Sequence, residues 1–390
     1  MRLLVDAHVF DGSFQGTRTY LEGLYTHMMQ HKDIDFFFAS TKEEKLKDFF
    51  GVADNIHYVH LNGEGRLKRL AIEFPQIIKE NKIDYAHFQY ITPLFKTCRE
   101  IVTVHDLLFM DFPQYFPAKY KAKNKFFFRR SAKRADVLLT VSEFSKDEIV
   151  RHFGINGEDI HLTYNSILPS TEIADDIDLK KKYGLDKYVL TVSRIEPRKN
   201  HLALLKAFAE LDLANRGYQL VMVGGKDLEY ADFFDYYNGL AEYLRQSILF
   251  LQVPFCDLVA LYRHASLFVF PSFGEGFGIP PIEAIAYGCP MLCSNATAMA
   301  EFGLPDEVLF SPNDIEELKE KMLKQLERPL DVSIYSGRVL SKYDWQQIAD
   351  SFYDVLMKDW NSKKSITKQL NGGWYSLYNC LSFLFGRTRK

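Results

Sequence analysis

Two glutamates eight positions apart bracket a glycine-rich segment in the second half of the chain. Glu275 lies among three alternating glycines (Gly274, Gly276 and Gly278), and Glu283 follows two prolines. Glycine leaves the backbone N–H groups open to a ligand, and the prolines suit the first turn of a helix. Because an apolar run typical of a buried strand precedes the glycines, the segment is predicted to join a strand to a helix N-terminus. Such a junction is a favourable place for a phosphate group.

The two acidic side chains cannot bind that phosphate themselves, because like charges repel. Carboxylate oxygens accept hydrogen bonds from hydroxyl groups, so Glu275 and Glu283 fit the hydroxyl-rich parts on either side of a diphosphate. Cations for the diphosphate lie in Arg194-Ile-Glu-Pro-Arg-Lys199, which is predicted to follow the end of another strand. Arginine supplies a planar fork of donors for phosphate oxygens, and lysine supplies a compact charge. A nucleotide sugar has this layout of groups.

The string Pro271-Ser-Phe-Gly-Glu-Gly-Phe-Gly-Ile-Pro-Pro-Ile-Glu-Ala resembles the Glu-x7-Glu signature of glycosyltransferase family 4. The similarity extends over roughly residues 1–360 and implies a retaining, metal-independent enzyme of the GT-B fold. It implies that Glu275 accepts hydrogen bonds from the transferred sugar and that Glu283 holds the nucleotide ribose. The donor-binding residues that it implies are Gly16, Thr17, Arg194, Lys199, Gly276, Phe277, Gly278, Ile279 and Glu283.

Two strings in the first half of the chain extend the resemblance. Residues 10–20 follow the first predicted strand and are similar to the family loop that closes over the donor phosphates, which is why Gly16 and Thr17 are expected there. The string Val102-Thr-Val-His105-Asp106 ends another strand, and the family has a histidine here beside the anomeric carbon. His105 is therefore the expected residue at the reaction centre, with Asp106 supporting it. The catalytic residues implied are His105, Glu275, Arg194 and Lys199.

Short apolar runs alternate with longer helical patterns, which is typical of parallel α/β construction. Six such runs fall in the first half and six in the second, with helical patterns such as 67–80 and 233–245 between them. We expect two doubly wound, Rossmann-like α/β domains facing a central cleft, since such sheets bind ligands at the carboxyl ends of their strands. The expected domains are residues 1–170 and 171–345, with a polar linker at 170–178. The resemblance adds a helix at 346–360 that crosses back onto the first domain.

The length, net charge, cysteine content and missing motifs of the chain argue against several classes of protein. The 390 residues exceed what one hydrophobic core supports, and the net charge of −3 argues against a nucleic-acid-binding protein. The five scattered cysteines include no Cys-x-x-Cys pair, which favours a reducing cytoplasm over a zinc site. No GxGxxG or GxxxxGK[ST] string occurs, so dinucleotide oxidoreductases and P-loop NTPases lose their main support. The chain begins with a predicted strand in place of the apolar core of a signal peptide, so we expect a cytoplasmic protein.

Two basic and aromatic segments indicate contact with an anionic membrane surface. Residues 115–134 carry eight lysines and arginines and no acid, and the tail at 361–390 carries six such cations and no acid. An amphipathic basic helix can lie on an anionic bilayer. We expect peripheral attachment to the inner face of the cell membrane. A solvated helix face and a tail packed against the protein body are the alternatives.

These features predict a hexosyltransferase that moves a hexose from a UDP- or GDP-sugar to a glycan acceptor, in particular a lipid-linked one, in polysaccharide biosynthesis. The string Gly-Phe-Gly-Ile-Pro-Pro is similar to mannosyltransferases of surface-polysaccharide pathways. No metal or other cofactor is expected. The alternatives are a nucleotide-sugar epimerase on the same fold, which needs no acceptor, and a non-catalytic nucleotide-sugar-binding protein.

Overall fold

The structure is a computed structural model that describes residues 1–12, 15–63, 65–168, 177–225 and 230–362. Its first half forms one parallel sheet from β1 (Arg2–Asp6), β2 (Asp35–Ser40), β3 (Ile56–His60), β4 (Tyr85–Gln89), β5 (Arg99–Thr103), β6 (Val137–Thr140) and β7 (Ile160–Leu162). The helices of this half are α1 (Gly16–Met28), α2 (Glu43–Phe50), α3 (Arg66–Lys68), α4 (Phe74–Glu80), α5 (Leu108–Asp111), α6 (Ala118–Arg134) and α7 (Glu143–Phe153). A π-helical turn, Arg69–Glu73, joins α3 to α4. The strand order is β3-β2-β1-β4-β5-β6-β7.

The second half forms another parallel sheet from β8 (Lys187–Val192), β9 (Tyr218–Val223), β10 (Ile248–Leu251), β11 (Leu267–Phe270), β12 (Met291–Ser294) and β13 (Leu309–Phe310). Its helices are α8 (Leu179–Tyr183), α9 (His201–Glu210), α10 (Ala231–Gly239), α11 (Glu242–Gln246), α12 (Phe255–His264), α13 (Ile279–Ala286), α14 (Ile315–Glu327), α15 (Ser333–Lys342) and α16 (Trp345–Ser362). The strand order is β10-β9-β8-β11-β12-β13. Single 3-10 turns lie at His8–Phe10, Pro113–Tyr115, Gly157–Asp159, Pro197–Lys199, Thr297–Phe302 and Asp306–Val308.

The expected two-sheet α/β architecture is confirmed. All twelve apolar runs form strands, and the inner strands β4, β6, β11 and β12 are buried on both faces. Strands covered on both faces are apolar along their whole length, which is why these runs are continuous and do not alternate. The sequence pattern missed β7, a three-residue edge strand whose sequence is Ile-His-Leu.

One of the predicted helices is wrong as a single element, and another contains a π turn. The chain is helical throughout residues 66–80, as predicted, but it passes through the π turn Arg69–Glu73, and Pro75, which has no N–H to donate, lies near the start of α4, just after that turn. The pattern at 233–245 ends at Gly239 and resumes as α11.

The last helix, α16, packs across α1 of the first domain. Its first residue, Trp345, donates a hydrogen bond from Nε1 to the carbonyl of Ile167 at 2.7 Å, and its ring covers Gly23. Near the other end of α16, the hydroxyl of Tyr85 donates to Asp359 at 2.6 Å. Most of the expected linker and the tail from residue 363 onward lie outside the described residues, so the domain boundaries and the tail stay predictions. Within the described ranges, none of the helices combines the length and the apolar character that crossing a membrane requires.

Gly23→Ala tests the crossing of α1 and α16. An added Cβ would overlap ring atoms of Trp345, although alanine is the better helix former. We expect the overlap to dominate and to destabilise the protein by about 1–3 kcal/mol, seen as a lower melting temperature. Gly337→Ala is the matched control, because Gly337 lies in α15 with no atom within 4 Å of an added Cβ. An equal shift for both variants would contradict this packing.

Candidate active site

The glycine-rich segment connects β11 to α13, as the sequence predicted. The chain leaves β11 at Phe270, and α13 begins at Ile279 with Pro280 and Pro281 in its first turn. Gly278 just before it has φ +99°, a backbone conformation that favours glycine. Because Pro280 and Pro281 have no N–H, the donors that this helix start offers to an anion at the carboxyl edge of the second sheet are the N–H groups of Gly278 and Ile279.

The alternating glycines also let the two domains approach each other. A Cβ at Gly276 would lie 2.5 Å from the carbonyl oxygen of His105 and 2.7 Å from Cβ of Asp106. A Cβ at Gly274 would lie 2.6 Å from Cε2 of Phe112. From the sequence, the lack of side chains at these glycines was expected only to open the backbone N–H groups to a ligand. The structure shows that the facing domain occupies the space beside two of them.

Hydroxyl groups of α7 hold this contact together. Ser142 caps α7 by accepting from the N–H of Ser145 at 3.0 Å, and its own hydroxyl donates to the carbonyl of Gly276 at 2.6 Å. Ser145 donates to the carbonyl of His105 at 2.9 Å. From the second domain, the carboxylate of Glu301 accepts from the N–H of Glu143 at 3.0 Å. The N-terminus of α7 therefore joins the loop of Gly276 to the end of β5.

Glu275 lies at the centre of a buried ion cluster and is only 8% exposed. Its Oε1 lies 2.6 Å from Nζ of Lys199 and also accepts from the hydroxyl of Ser272 at 2.6 Å. Its Oε2 lies 3.2 Å from Nη1 of Arg198. The backbone N–H of Glu275 donates to Oγ1 of Thr297 at 2.9 Å, which fixes the direction of the loop.

The cluster keeps its charges despite its burial. Burial by itself would raise the pKa of Glu275, but Lys199 and Arg198 outweigh it and lower that pKa to about 2. Burial would lower the pKa of Arg198, and its two acidic neighbours, Glu275 and Glu196, raise it instead. Burial lowers the pKa of Lys199, which Glu275 partly offsets. Glu275 is therefore an ionised acceptor over the whole physiological pH range.

Arg198 is the residue of this cluster that sequence reasoning missed. It lies between two carboxylates, with Nη2 at 2.5 Å from Glu196 as well as Nη1 near Glu275. Its carbonyl accepts from the N–H of Phe273 at 2.9 Å, which ties the turn Pro197–Lys199 to the glycine loop. The only signal in the sequence was three cations in one loop, and nothing there distinguished Arg198 from its neighbours.

The two residues expected to bind diphosphate lie in different surroundings. Arg194 follows β8, is exposed, and has its backbone N–H group beside Gly224 at the end of β9. Lys199 is half-buried, and its Nζ pairs with Glu275 and lies 5.6 Å from the centroid of the Phe270 ring. Both belong to the carboxyl edge of the second sheet.

His105 follows β5 on the opposite side of the cleft and is buried. Its Nε2 lies 2.7 Å from Oε1 of Gln89, so Nε2 carries the ring proton. Burial lowers the pKa of His105 to about 3, which leaves the ring neutral. The amide nitrogen of Gln89 faces Nε2 of His87 at 3.3 Å, which fixes the amide orientation. Gln89 was not predicted, because a buried strand-end amide has no distinctive sequence pattern.

Asp106, next to His105 in the chain, accepts two hydrogen bonds. Its Oδ1 accepts from the N–H of Leu108 at 3.1 Å, and its Oδ2 accepts from the hydroxyl of Tyr90 at 3.1 Å. The ring of Tyr90 lies 5.3 Å from that of His105. Asp106 thus orders the chain that follows His105 and positions an aromatic ring against the imidazole.

Glu283 lies in α13, apart from the Glu275 cluster. Its Oε2 accepts from the hydroxyl of Tyr262 at 2.8 Å. Burial raises the pKa of Glu283 to about 7, and the bond from Tyr262 offsets only part of this effect. The two glutamates of the motif therefore differ in charge near neutral pH.

The remaining expected donor residues come from both domains. Gly16 begins α1, and a Cβ there would lie 3.6 Å from Cδ1 of Ile279, so the two loops face each other. Thr17 lies in the first turn of α1, which Gln15 precedes as the N-cap residue. Residues 13–14 of this loop lie outside the described residues. Phe277 packs against Phe302 and Tyr343, so only its backbone can face the cleft.

Two parallel α/β domains whose carboxyl edges meet over an ionised carboxylate and a loop of cations define the GT-B class of glycosyltransferases. Solved structures agree with this fold. The chain superposes on sucrose-phosphate synthase from Thermosynechococcus elongatus with a TM-score of 0.71 at 18% identity, over 93% of this chain and 99% of that one. It superposes on the Anabaena protein HepE, solved with UDP and glucose, with a TM-score of 0.68 at 16% identity, over 92% and 100% of the two chains.

The chain belongs to glycosyltransferase family 4. Residues 15–170 match the family model described as Glycosyltransferase Family 4, and residues 174–334 match Glycosyl transferases group 1. The chain is 30% identical to O-antigen chain mannosyltransferase B of Escherichia coli over 344 residues, covering 78% of this chain and 88% of the relative. It is 30% identical to O-antigen chain mannosyltransferase RfbU of Salmonella typhimurium over 257 residues, covering 64% and 67%.

Glu283→Gln tests the raised pKa of this half-buried carboxylate. With a pKa of about 7 when folded against 4.5 unfolded, Glu283 holds a proton in the folded state that the unfolded chain releases between these values. Wild-type stability therefore falls at this site as the pH rises through that window. Glutamine stays neutral and can still accept from Tyr262. We expect the stability of Glu283→Gln relative to wild type to increase from pH 5 to pH 8 in urea denaturation.

The control for this pH effect is Glu327→Gln, at the exposed end of α14. The stability of Glu327→Gln relative to wild type should change little between pH 5 and pH 8. A Glu283→Gln difference that is the same at pH 5 and pH 8 would show that Glu283 is ionised throughout.

Proposed function

We propose that the protein is a retaining, metal-independent hexosyltransferase that uses a UDP- or GDP-sugar and a glycan acceptor in polysaccharide biosynthesis. The observation that carries the proposal is the buried cluster of Glu275 with Lys199 and Arg198 at the mouth of the cleft. The cluster places an ionised carboxylate, which accepts hydrogen bonds from hydroxyl groups, directly beside a cation that can bind phosphate. The names of the two O-antigen mannosyltransferase relatives support mannose as the first sugar to test. The complex of HepE with UDP and glucose supports a nucleotide-sugar donor.

In this mechanism Lys199, Arg194 and the N-terminus of α13 bind the donor diphosphate. Negative charge grows on the diphosphate as the bond to the sugar breaks, so fixed donors there stabilise the transition state more than the bound substrate. Arg198 remains paired with Glu275 when Lys199 turns to the diphosphate. Glu275 consequently stays ionised and accepts hydrogen bonds from hydroxyls of the transferred hexose, while Glu283 holds the ribose.

The carboxylates of Glu275 and Asp106 are both engaged by other groups, so neither is free to attack the sugar as a nucleophile. This supports a substitution on one face of the sugar. Glu275 pairs with two cations, and each oxygen of Asp106 accepts a hydrogen bond. The acceptor hydroxyl then attacks the anomeric carbon on the face from which the diphosphate departs. Its proton passes to a departing phosphate oxygen, and the anomeric configuration is retained. Neutral His105 lines the sugar site from the first domain.

Lys199→Ala tests the donor site. Wild type should be stabilised in a thermal-shift panel by either UDP or GDP, because a ligand that binds only the folded state raises the melting temperature. It should transfer labelled hexose only when an acceptor is present. Lys199→Ala should lower kcat by on the order of 10²–10³, as is typical for removing one donor to the developing charge. Lys206→Ala is the control and should keep full turnover, because Lys206 lies on α9 with its ammonium over the ring of Tyr236 on α10.

Three results would contradict this function. Full turnover of Lys199→Ala would remove the cluster from the reaction. Conversion of the donor sugar to an isomer without any acceptor would indicate the epimerase alternative. Binding of nucleotide sugar with no turnover of any acceptor would favour a non-catalytic binding protein.

We further propose that α6 attaches the protein to the anionic inner face of the cell membrane. Along this helix, Lys119, Lys123, Lys125 and Arg129 are exposed, and the ring of Phe126 is 65% exposed among them. Exposed cations that surround an apolar side chain are typical of helices that lie on a bilayer. The tail at 363–390, which carries the same composition, lies outside the described residues.

Phe126→Ser should weaken sedimentation with phosphatidylglycerol vesicles, because it removes the apolar group while leaving the charge of α6 unchanged. Val52→Ser is the matched control, since Val52 is 84% exposed in the loop between α2 and β3. Equal vesicle binding by wild type and Phe126→Ser would exclude this surface of α6 from the membrane contact.

A further inference from the structure

A pair of arginines follows β3 on the first-domain side of the cleft. Gly63 and Gly65, with φ +73° and +90°, turn the chain from the end of β3 into α3. Arg66 opens α3, and Arg69 opens the π turn that follows. In a parallel sheet all carboxyl ends share one edge, so this turn leaves the same edge as the end of β1 and the loop of His105.

The two guanidinium groups lack partners in the part of the chain that the structure describes. Neither guanidinium forms a hydrogen bond or an ion pair there, and Nε of Arg69 is buried without an acceptor. Arg66 is exposed and Arg69 is half-buried. Partial burial and the charge of Arg69 lower the pKa of Arg66, and the nearby carboxylate of Asp6 offsets part of this effect. The guanidinium donors that are left unsatisfied can bind a further anion.

The surroundings connect this pair to the reaction centre. Asp6, at the end of β1, is buried, and burial by itself would raise its pKa. His8 and, more weakly, Arg69 lower that pKa, so Arg69 lies near this carboxylate. Tyr120 of α6 interacts electrostatically with both Arg66 and Asp106, the residue that follows His105. The arginines therefore lie along the first-domain wall, on the side of the cleft opposite Arg194 and Lys199.

We propose that Arg66 and Arg69 bind a phosphate ester of the acceptor, such as the diphosphate of a lipid-linked glycan. This inference rests on the proposed transfer to a glycan acceptor and names the chemical group by which that acceptor is held. Guanidinium forks match the planar arrangement of phosphate oxygens and are less strongly hydrated than lysine. Arg66 and Arg69 lie on the first domain, whereas the cations expected to bind the donor diphosphate, Arg194 and Lys199, lie on the second.

Leu67, the first of the two residues between the arginines, favours an ester of a lipid over a soluble sugar phosphate. Leu67 is 78% exposed, which makes it one of the most exposed large apolar side chains in the described chain. A hydrocarbon chain that leaves a phosphate held by Arg66 and Arg69 would pass over Leu67, whereas a soluble sugar phosphate would leave it in water. Leu67 thus fits the first carbons of the lipid.

Direct binding can be measured without any turnover. Geranyl diphosphate, a short soluble lipid diphosphate, is titrated calorimetrically into the full chain with the donor site saturated by UDP and GDP. We expect one bound molecule per chain. Arg66→Ala and Arg69→Ala should each weaken binding by on the order of 10-fold to 100-fold, as expected for hydrogen bonds between charged groups. Arg216→Ala should not weaken it, because Arg216 is exposed before β9 at the opposite edge of the second sheet.

Transfer assays then identify the source of the phosphate. The same glycan is offered as a lipid diphosphate and as a neutral alkyl glycoside. The double variant Arg66→Ala/Arg69→Ala should raise KM for the diphosphate acceptor only, with kcat and use of the neutral acceptor unchanged. It should also sediment with phosphatidylglycerol vesicles as well as wild type does. Equal loss with both acceptors, unchanged binding of geranyl diphosphate, or loss of vesicle binding alone would each overturn the proposal.

The calorimetric result separates this proposal from the proposed function. If wild type binds geranyl diphosphate through the arginines yet transfers no sugar, the lipid-phosphate site stands and the transferase function fails. If wild type transfers sugar but the arginine variants bind geranyl diphosphate normally, the transferase function stands and this site fails.

Discussion

A buried carboxylate that must remain ionised is the constraint on which the rest of the site depends. Glu275 is almost fully removed from water, and an unpaired charge in that position would be strongly destabilising. Lys199 and Arg198 supply two opposite charges, and Ser272 supplies a further hydrogen bond. The pairing is shared, so Lys199 can turn to a ligand while Arg198 keeps Glu275 charged. A single cation could not serve both purposes.

The position of this cluster is set by the contact between the two domains. The loop that carries Glu275 can lie against the end of β5 only because Gly274 and Gly276 lack side chains. Ser142 binds the carbonyl of Gly276, and Ser145 binds the carbonyl of His105, so one helix terminus aligns both halves of the site. The residues of the candidate site therefore come from two sheets but are held to each other by a short set of hydrogen bonds.

The sequence predicted the architecture well because buried parallel strands are continuous apolar runs, a pattern that does not depend on distant contacts. It singled out Glu275 and Lys199 by their types and spacing and His105 by the family resemblance, and the roles of these residues stay predictions. It did not single out Arg198 or Gln89, since their roles arise from which side chains meet after folding. The π turn within 66–80 and the break after Gly239 were missed for a related reason, because the packing of the surrounding chain decides such local changes.

The central claim is that the carboxylate of Glu275, held ionised between a lysine and an arginine, binds the sugar whose diphosphate the lysine binds. A crystal structure of the full chain with an intact nucleotide sugar tests it most directly. The account predicts hexose hydroxyls donating to Glu275, Arg198 still paired with that carboxylate, and Nζ of Lys199 within about 3 Å of a phosphate oxygen. A nucleotide sugar bound away from this cluster, or a Lys199–Glu275 pair that persists with the diphosphate elsewhere, would contradict it.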